Sequence, residues 1–182
     1  MAEMTNEERL FKVFSNVNDW LKFAEAKNAM MLAFNAASIY GITKTYDLEL
    51  VKDNSFLSYY LFFVIVQLAF SSICALISFA PRVKIIKGGY YASGNIANTL
   101  FFEYLKTKTT LEIMNEINKT QYDLKENLPP DFEKDIAEQI RQNSIIASRK
   151  YSYFTIAVWI TISAYITFPL AGIFCLYTYL KD

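Results

Sequence analysis

Six basic side chains bracket one stretch of this chain. Arg82, Lys84 and Lys87 stand at its start, and Arg141, Arg149 and Lys150 at its end. Guanidinium and ammonium groups have one chemistry to offer in such an arrangement. They hold anions, the guanidinium as a planar fork and the ammonium as a point charge. Two uses fit that chemistry: a topological collar at a membrane surface, or a ligand site built from part of the collar. Acid–base and metal chemistry are poorly provided for. The sequence contains no histidine, which removes the commonest general base and metal ligand. Cys74 and Cys175 both lie in apolar stretches without carboxylates, and they read as small buried residues rather than metal ligands or a disulfide framework. No nucleophile has a base beside it, so the chain is expected to be no enzyme, with no catalytic residue, no metal and no cofactor.

The elements that must position those cations are apolar. Of the 182 residues, 53% are apolar and 20% charged, and the net charge is zero, so no global field draws the chain to nucleic acid. Ser55 to Ala80 runs for 26 residues without a charge. As a helix it spans about 39 Å, enough to cross a hydrocarbon core of about 30 Å with some tilt. Asp53, Asn54 and Ser55 offer N-caps, and Pro81 stops the run. Tyr151 to Leu180 is a second uncharged run, of 30 residues, or about 45 Å as a helix. Pro169 and Gly172 mark a kink in it, and its tyrosines and Trp159 partly gather toward the ends, as interfacial aromatics do.

A third stretch, Asn28 to Thr43, has 16 residues between Lys27 and Lys44, about 24 Å of helix. The two lysines lengthen it by snorkelling, and Asn35 in its middle should seek a helix partner. No apolar leader core stands in the first 27 residues, with their five acidic and four basic side chains, so the apolar segments are expected to remain in the mature protein.

The polar parts read as helices too. Thr5 with Glu8, and Thr109 with Glu112, fit capping boxes. Leu10, Phe14, Val17, Leu21 and Ala24 recur at helical spacing on one face. Asn98 to Lys106 and Leu111–Met114–Ile117 read as two further helices. After Pro129–Pro130, with Asp131 as cap, no Gly or Pro intervenes until Pro169, so one long helix should run from Asp131 into the last apolar run, with Ile136, Ile140 and Ala147 on its packed side. "GGYYASGN" (88–95) is a turn without the spacing of a Walker loop or a dinucleotide fingerprint.

The expected fold is therefore all-α: an integral membrane protein with about three transmembrane helices and a small helical cytoplasmic domain. Its parts are an amphipathic helix (1–27), spans at 28–43, 55–80 and 151–180, and a cytoplasmic sensor region at 81–150. The basic collar places 81–150 and the N-terminus inside and Lys181–Asp182 outside. Ser71, Ser72, Ala75, Thr161, Ser163 and Ala164 form small and polar faces that permit close helix contacts, here assigned to an oligomer.

Four segments in order resemble one family. "EAKNAMMLAFNAAS" (25–38) resembles the entry to the first membrane helix of the Pycsar transmembrane effectors, and "APRV" (80–83) resembles the exit from their second. "NTLFFEYL" (98–105) resembles their Leu-Phe-Phe segment, and "EQIRQNSIIASRKYSYFTIAVW" (138–159) resembles the helix leading into their last span. The resemblance implies an antiphage effector of the bacterial inner membrane. It would be activated by a cyclic pyrimidine mononucleotide, cCMP or cUMP, made by a partner cyclase, and would oligomerise and impair membrane integrity so that infection aborts. Such a ligand needs cations for its phosphate, an aromatic platform for its base and an amide for the base edge. Arg82, Lys84, Tyr90, Tyr91, Asn95, Arg141 and Arg149 are the groups assigned to it. The alternative is a holin- or toxin-like pore that needs no ligand.

Overall fold

The computed structural model describes residues 4–52, 54–80, 98–122 and 127–181. The described residues form six helices and no strands: α1 (Asn6–Thr45), α2 (Glu49–Lys52), α3 (Ser55–Ile77), α4 (Phe102–Leu105), α5 (Thr110–Asn118) and α6 (Asp131–Lys181). The chain divides into two compact units, one of Met1–Glu25 with Pro81–Tyr151 and the other of Ala26–Ala80 with Ser152–Asp182. α1 and α6 each contribute residues to both.

In the first unit, α1 begins with the expected capping box. Glu8 N–H donates to Thr5 Oγ1 at 3.2 Å, and Thr5 N–H donates to the Glu8 carboxylate at 2.8 Å. α5 begins with the same device, Glu112 N–H to Thr109 Oγ1 at 3.2 Å and Thr109 N–H to Glu112 at 2.7 Å. The two boxes satisfy amide donors that a helix start leaves open. The core gathers Leu10, Val13 and Val17 of α1, Leu105 of α4, Ile113, Met114 and Ile117 of α5, and Ile136, Ala137 and Ile140 of α6. Each large side chain fully buried here is worth about 1.5–3 kcal/mol. A polar group closes one end of this core. Buried Glu133 accepts from Asn118 Nδ2 at 2.8 Å and from the Tyr122 hydroxyl at 3.2 Å, and its place in the first turn of α6 sets the carboxylate against the positive helix end.

Two expectations change in this unit. The helix expected over Asn98 to Lys106 contracts to α4. Asn98 Oδ1 accepts the Leu100 N–H at 3.0 Å, which draws the preceding residues into a turn. Asp131 is the first residue of α6 rather than its cap, and Lys134 N–H reaches the Pro130 carbonyl at 3.1 Å.

In the second unit, α3 starts where Asn54 accepts the Leu57 N–H at 3.1 Å. It buries Leu61, Val64, Leu68, Ser71 and Ala75, a three-four alternation that forms one seam. α1 buries Asn28, Asn35 and Ile42 at seven-residue intervals, and α6 buries Ala157, Thr161, Ala164 and Ala171. Small residues on that α6 seam let helices approach closely. Large side chains of α3 also point outward, and Phe62, Phe63 and Phe70 are 58–61% exposed.

Among the described residues, α3 and α6 are the two helices long and apolar enough to cross a membrane. Residues 28–43 lie wholly within α1 but do not meet that test, because Asn28, Asn35 and their flanking charges break the apolar run. The long helix expected from Asp131 is present as α6, with Pro169 inside it. Cys74, expected to be buried, is half-buried and free, because it sits between the seam positions Ser71 and Ala75. Ser71, Ala75, Thr161 and Ala164 are buried within this unit, so these members of the small-residue face are consumed by packing inside one chain.

The α5 capping box gives a local prediction. Thr109→Ala should destabilise α5 by about 1 kcal/mol, seen as roughly fivefold faster amide hydrogen exchange across Thr110–Asn118, with α3 unaffected.

Candidate functional site

Of the seven assigned ligand residues, Arg82, Lys84, Tyr90, Tyr91 and Asn95 lie outside the described residues. Arg141 and Arg149 lie on α6, and their surroundings differ. Arg141 Nε donates to the Lys108 carbonyl at 3.1 Å, and its guanidinium meets Glu138 at 3.5 Å. It thus ties α6 to the segment that enters α5. Arg149 is half-buried, and no other described residue forms an ion pair or hydrogen bond with it. A guanidinium in that state keeps its donor fork available to an anion.

The neighbours of Arg149 in sequence are all engaged. Ser148 Oγ accepts from Lys106 Nζ at 2.8 Å, and Lys106 also pairs with Glu103. Lys150 Nζ lies 3.1 Å from the Glu25 carboxylate. Tyr151 stacks on Phe102 with centroids 5.1 Å apart and planes 13° apart. Trp20 stands 5.6 Å from Phe102, 6.3 Å from Tyr151 and 6.3 Å from Phe101. The first unit therefore holds an aromatic quartet, Trp20 of α1, Phe101 and Phe102 at the start of α4, and Tyr151, which follows Arg149 by two residues on α6. Asn16 Nδ2 donates to the Leu100 carbonyl at 2.5 Å, and Asn143 Nδ2 donates to Asn18 Oδ1 at 2.7 Å. Carboxamides thus line the α1 side of the same unit.

The quartet was missed from sequence. Its one local signal is the adjacent pair Phe101–Phe102. Trp20 and Tyr151 join it only through folding, since more than a hundred residues separate them in the chain.

A second charged group sits at the entry to α5. Lys108 Nζ meets Glu116 at 2.8 Å and lies 4.8 Å above the Tyr104 ring, whose hydroxyl also donates to Glu116 at 2.8 Å. The hydrogen bond to Glu116, then that to Tyr104, holds the Lys108 ammonium well above the usual lysine range. Burial works to raise the Glu138 carboxyl, but hydrogen bonds from Thr110 and Gln142, together with the Arg141 charge, outweigh it and hold it below its ordinary value. Among the described residues, no cluster of three or more His, Cys, Asp or Glu side chains could hold a metal.

The second unit carries a polar knot. Asn35 Nδ2 donates to Ser71 Oγ at 2.9 Å, and Thr161 Oγ1 donates to Asn35 Oδ1 at 3.1 Å. The Ser71 and Thr161 hydroxyls lie 2.9 Å apart, and Ser71 Oγ also reaches the Ala157 carbonyl at 2.8 Å. One residue each from α1, α3 and α6 closes this network, and all three are buried. Asn35 has found the helix partners its position demanded.

The family model described as the Pycsar effector protein domain matches residues 9–177, nearly the whole chain. The chain belongs to the Pycsar effector family. No curated protein and no solved structure matches it. Membership places this Pycsar effector in antiphage defence and links it to cyclic pyrimidine nucleotide signalling. It also gives the two long apolar helices a setting, since the family's effectors include membrane proteins.

Glu138 makes the first unit sensitive to acid. A carboxyl held low in the folded state stabilises it above the unfolded pKa, near the ordinary 4.5, and that stability is lost as pH falls through the folded value. Unfolding of the wild type followed by circular dichroism should show this loss below about pH 4.5, and Glu138→Gln should flatten that part of the profile.

Proposed function

We propose that this Pycsar effector is a non-enzymatic membrane protein of the bacterial inner membrane, activated by cCMP or cUMP. On activation it oligomerises and breaches the membrane, aborting infection. Residues 81–150 face the cytoplasm, where a partner pyrimidine cyclase releases the messenger.

The observation that carries the ligand assignment is the state of Arg149. Its guanidinium is half-buried and has no carboxylate or hydrogen-bond partner among the described residues, while Lys150, Lys106 and Arg141 are engaged. A cyclic mononucleotide offers one phosphate charge, which a free Arg fork accepts in a bidentate pair. The Trp20, Phe101 and Tyr151 rings, packed around buried Phe102, belong to the same unit and offer a base a stacking surface. Arg149 lies on α6, which further along carries Thr161 of the polar knot. A ligand that repositions this helix acts on an element whose hydrogen bonds close the apolar unit. The basic residues at 82–87 and 141–150 accord with an inward-facing sensor.

Two measurements test the reading. Calorimetric titration of the detergent-solubilised chain should show binding of cCMP or cUMP in preference to cAMP and cGMP. Arg149→Ala should weaken it by about 2 kcal/mol, roughly thirtyfold. Vesicles containing the chain and a trapped dye should release the dye only when the preferred nucleotide is added. A dye that stays trapped contradicts the activation step, and leakage before any nucleotide is added supports the ligand-independent pore.

A further inference from the structure

At the junction of α5 and α6, two side-chain acceptors are buried with fewer partners than they need. Among the described residues Glu133 is the one buried carboxylate, 6% exposed. Asn118, the last residue of α5, is 3% exposed, and its carboxamide nitrogen donates to Glu133 Oε2 at 2.8 Å. The Asn118 carboxamide oxygen is buried too, and it accepts no hydrogen bond from a described residue. A buried acceptor in that state calls for a bound water or ion. We propose that Asn118 and Glu133 hold one monovalent cation, K+ or Na+. The proposal is independent of the nucleotide and of the membrane reading.

Charge favours an ion over water. Glu25, Glu103, Glu116 and Glu138 of this unit are all more exposed than Glu133, and each meets a Lys or Arg. Glu133 meets neither among the described residues. Its two donors are neutral, Asn118 and the Tyr122 hydroxyl at 3.2 Å, and that hydroxyl accepts in turn from Asn6 at 3.3 Å. The helix ends do not make up the difference. The N-terminus of α6 brings about half a positive charge to Glu133, and the C-terminus of α5, at Asn118, brings about half a negative one. These cancel, and the full carboxylate charge is left in a buried place where a charge needs a partner. A water would give the Asn118 oxygen a donor and bring no charge.

Coordination favours a single charge. The nitrogen and oxygen of one amide lie about 2.3 Å apart, so Asn118 Oδ1 is within about 5 Å of Glu133 Oε2. One ion bridges such a separation with two bonds of about 2.5 Å. Both hydrogen bonds to Glu133 fall on Oε2, and none from a described residue falls on Oε1. The last carbonyls of α5 lack intrahelical partners and add neutral oxygen to this end of the helix. Among the described residues there is no acidic, His or Cys cluster for a divalent ion, whereas one carboxylate with neutral oxygens balances one charge. The sequence expectation of no metal looked to His and Cys, and an alkali ion uses neither.

The test follows amide hydrogen exchange of the full detergent-solubilised chain in KCl, NaCl or tetramethylammonium chloride at one ionic strength. Exchange across Thr110–Asn118 should be several-fold slower in KCl or NaCl than in tetramethylammonium chloride, with a saturable dependence on ion concentration, and exchange in α3 should not respond. Glu133→Gln keeps an acceptor for Asn118 and Tyr122 and removes the charge, so the ion dependence should vanish. Asn118→Asp adds a charge and should lower the half-saturating concentration several-fold, which decides the matter if the Glu133 variant does not fold. Equal exchange of the wild type in all three salts overturns the proposal and leaves a water at Asn118. A dependence that survives Glu133→Gln overturns it as a general effect of salt. An ion dependence that appears only in Lys125→Ala overturns it in favour of an ammonium of the chain itself.

Discussion

Asn35 is a carboxamide with no exposure to solvent, and a buried amide left unpaired costs about 1–3 kcal/mol. The second unit is arranged around meeting that demand. Ser71 comes from α3 and Thr161 from α6, each hydroxyl serving both as partner to Asn35 and as partner to the other. α3 and α6 have enough apolar surface to enter hydrocarbon by themselves. α1 does not, and it joins them through hydrogen bonds and an Asn28–Asn35–Ile42 seam. A polar layer of this kind favours one register, because sliding one helix by a turn breaks that helix's bonds to the other two.

The first unit is held by a different balance. Its apolar core is compact, and its charges are neutralised locally: Lys106 by Glu103, Lys108 by Glu116, Arg141 by Glu138 and Lys150 by Glu25. Partly exposed pairs such as Lys150 with Glu25 contribute little to stability. That Arg149 is left over acquires meaning from the pairing of its neighbours. The family match supplies the link to cyclic pyrimidine nucleotide signalling, and under the proposed reading Arg149 and the aromatic rings are where that messenger would be held.

Much of this was legible in the sequence, and the parts that were share a cause. Local chemistry announces itself: both capping boxes, the Asn54 cap, the uninterrupted run from Asp131 and the need of Asn35 for partners follow from residue type and short spacing. What escaped depends on choices between competing partners. Asn98 could cap a helix or bend its own backbone, and it bends the backbone. The face of Ser71, Ala75, Thr161 and Ala164 suits contact between helices, and nothing in its spacing tells an intrachain contact from one between copies. Arg141 and Arg149 look alike as letters, yet one reaches a carbonyl more than thirty residues away. Trp20 and Tyr151 are brought to Phe102 only by the tertiary fold.

We propose that residues 28–43 of α1, too short and too polar to insert alone, are held in the bilayer by the bonds of Asn35 to α3 and α6. Cysteine accessibility tests it most directly, in inverted membrane vesicles and with Cys74 and Cys175 replaced by Ser. Phe34→Cys, one residue from the knot, should resist a membrane-impermeant maleimide, while Lys12→Cys reacts fully. Equal reaction at the two positions would place α1 in water and contradict the account.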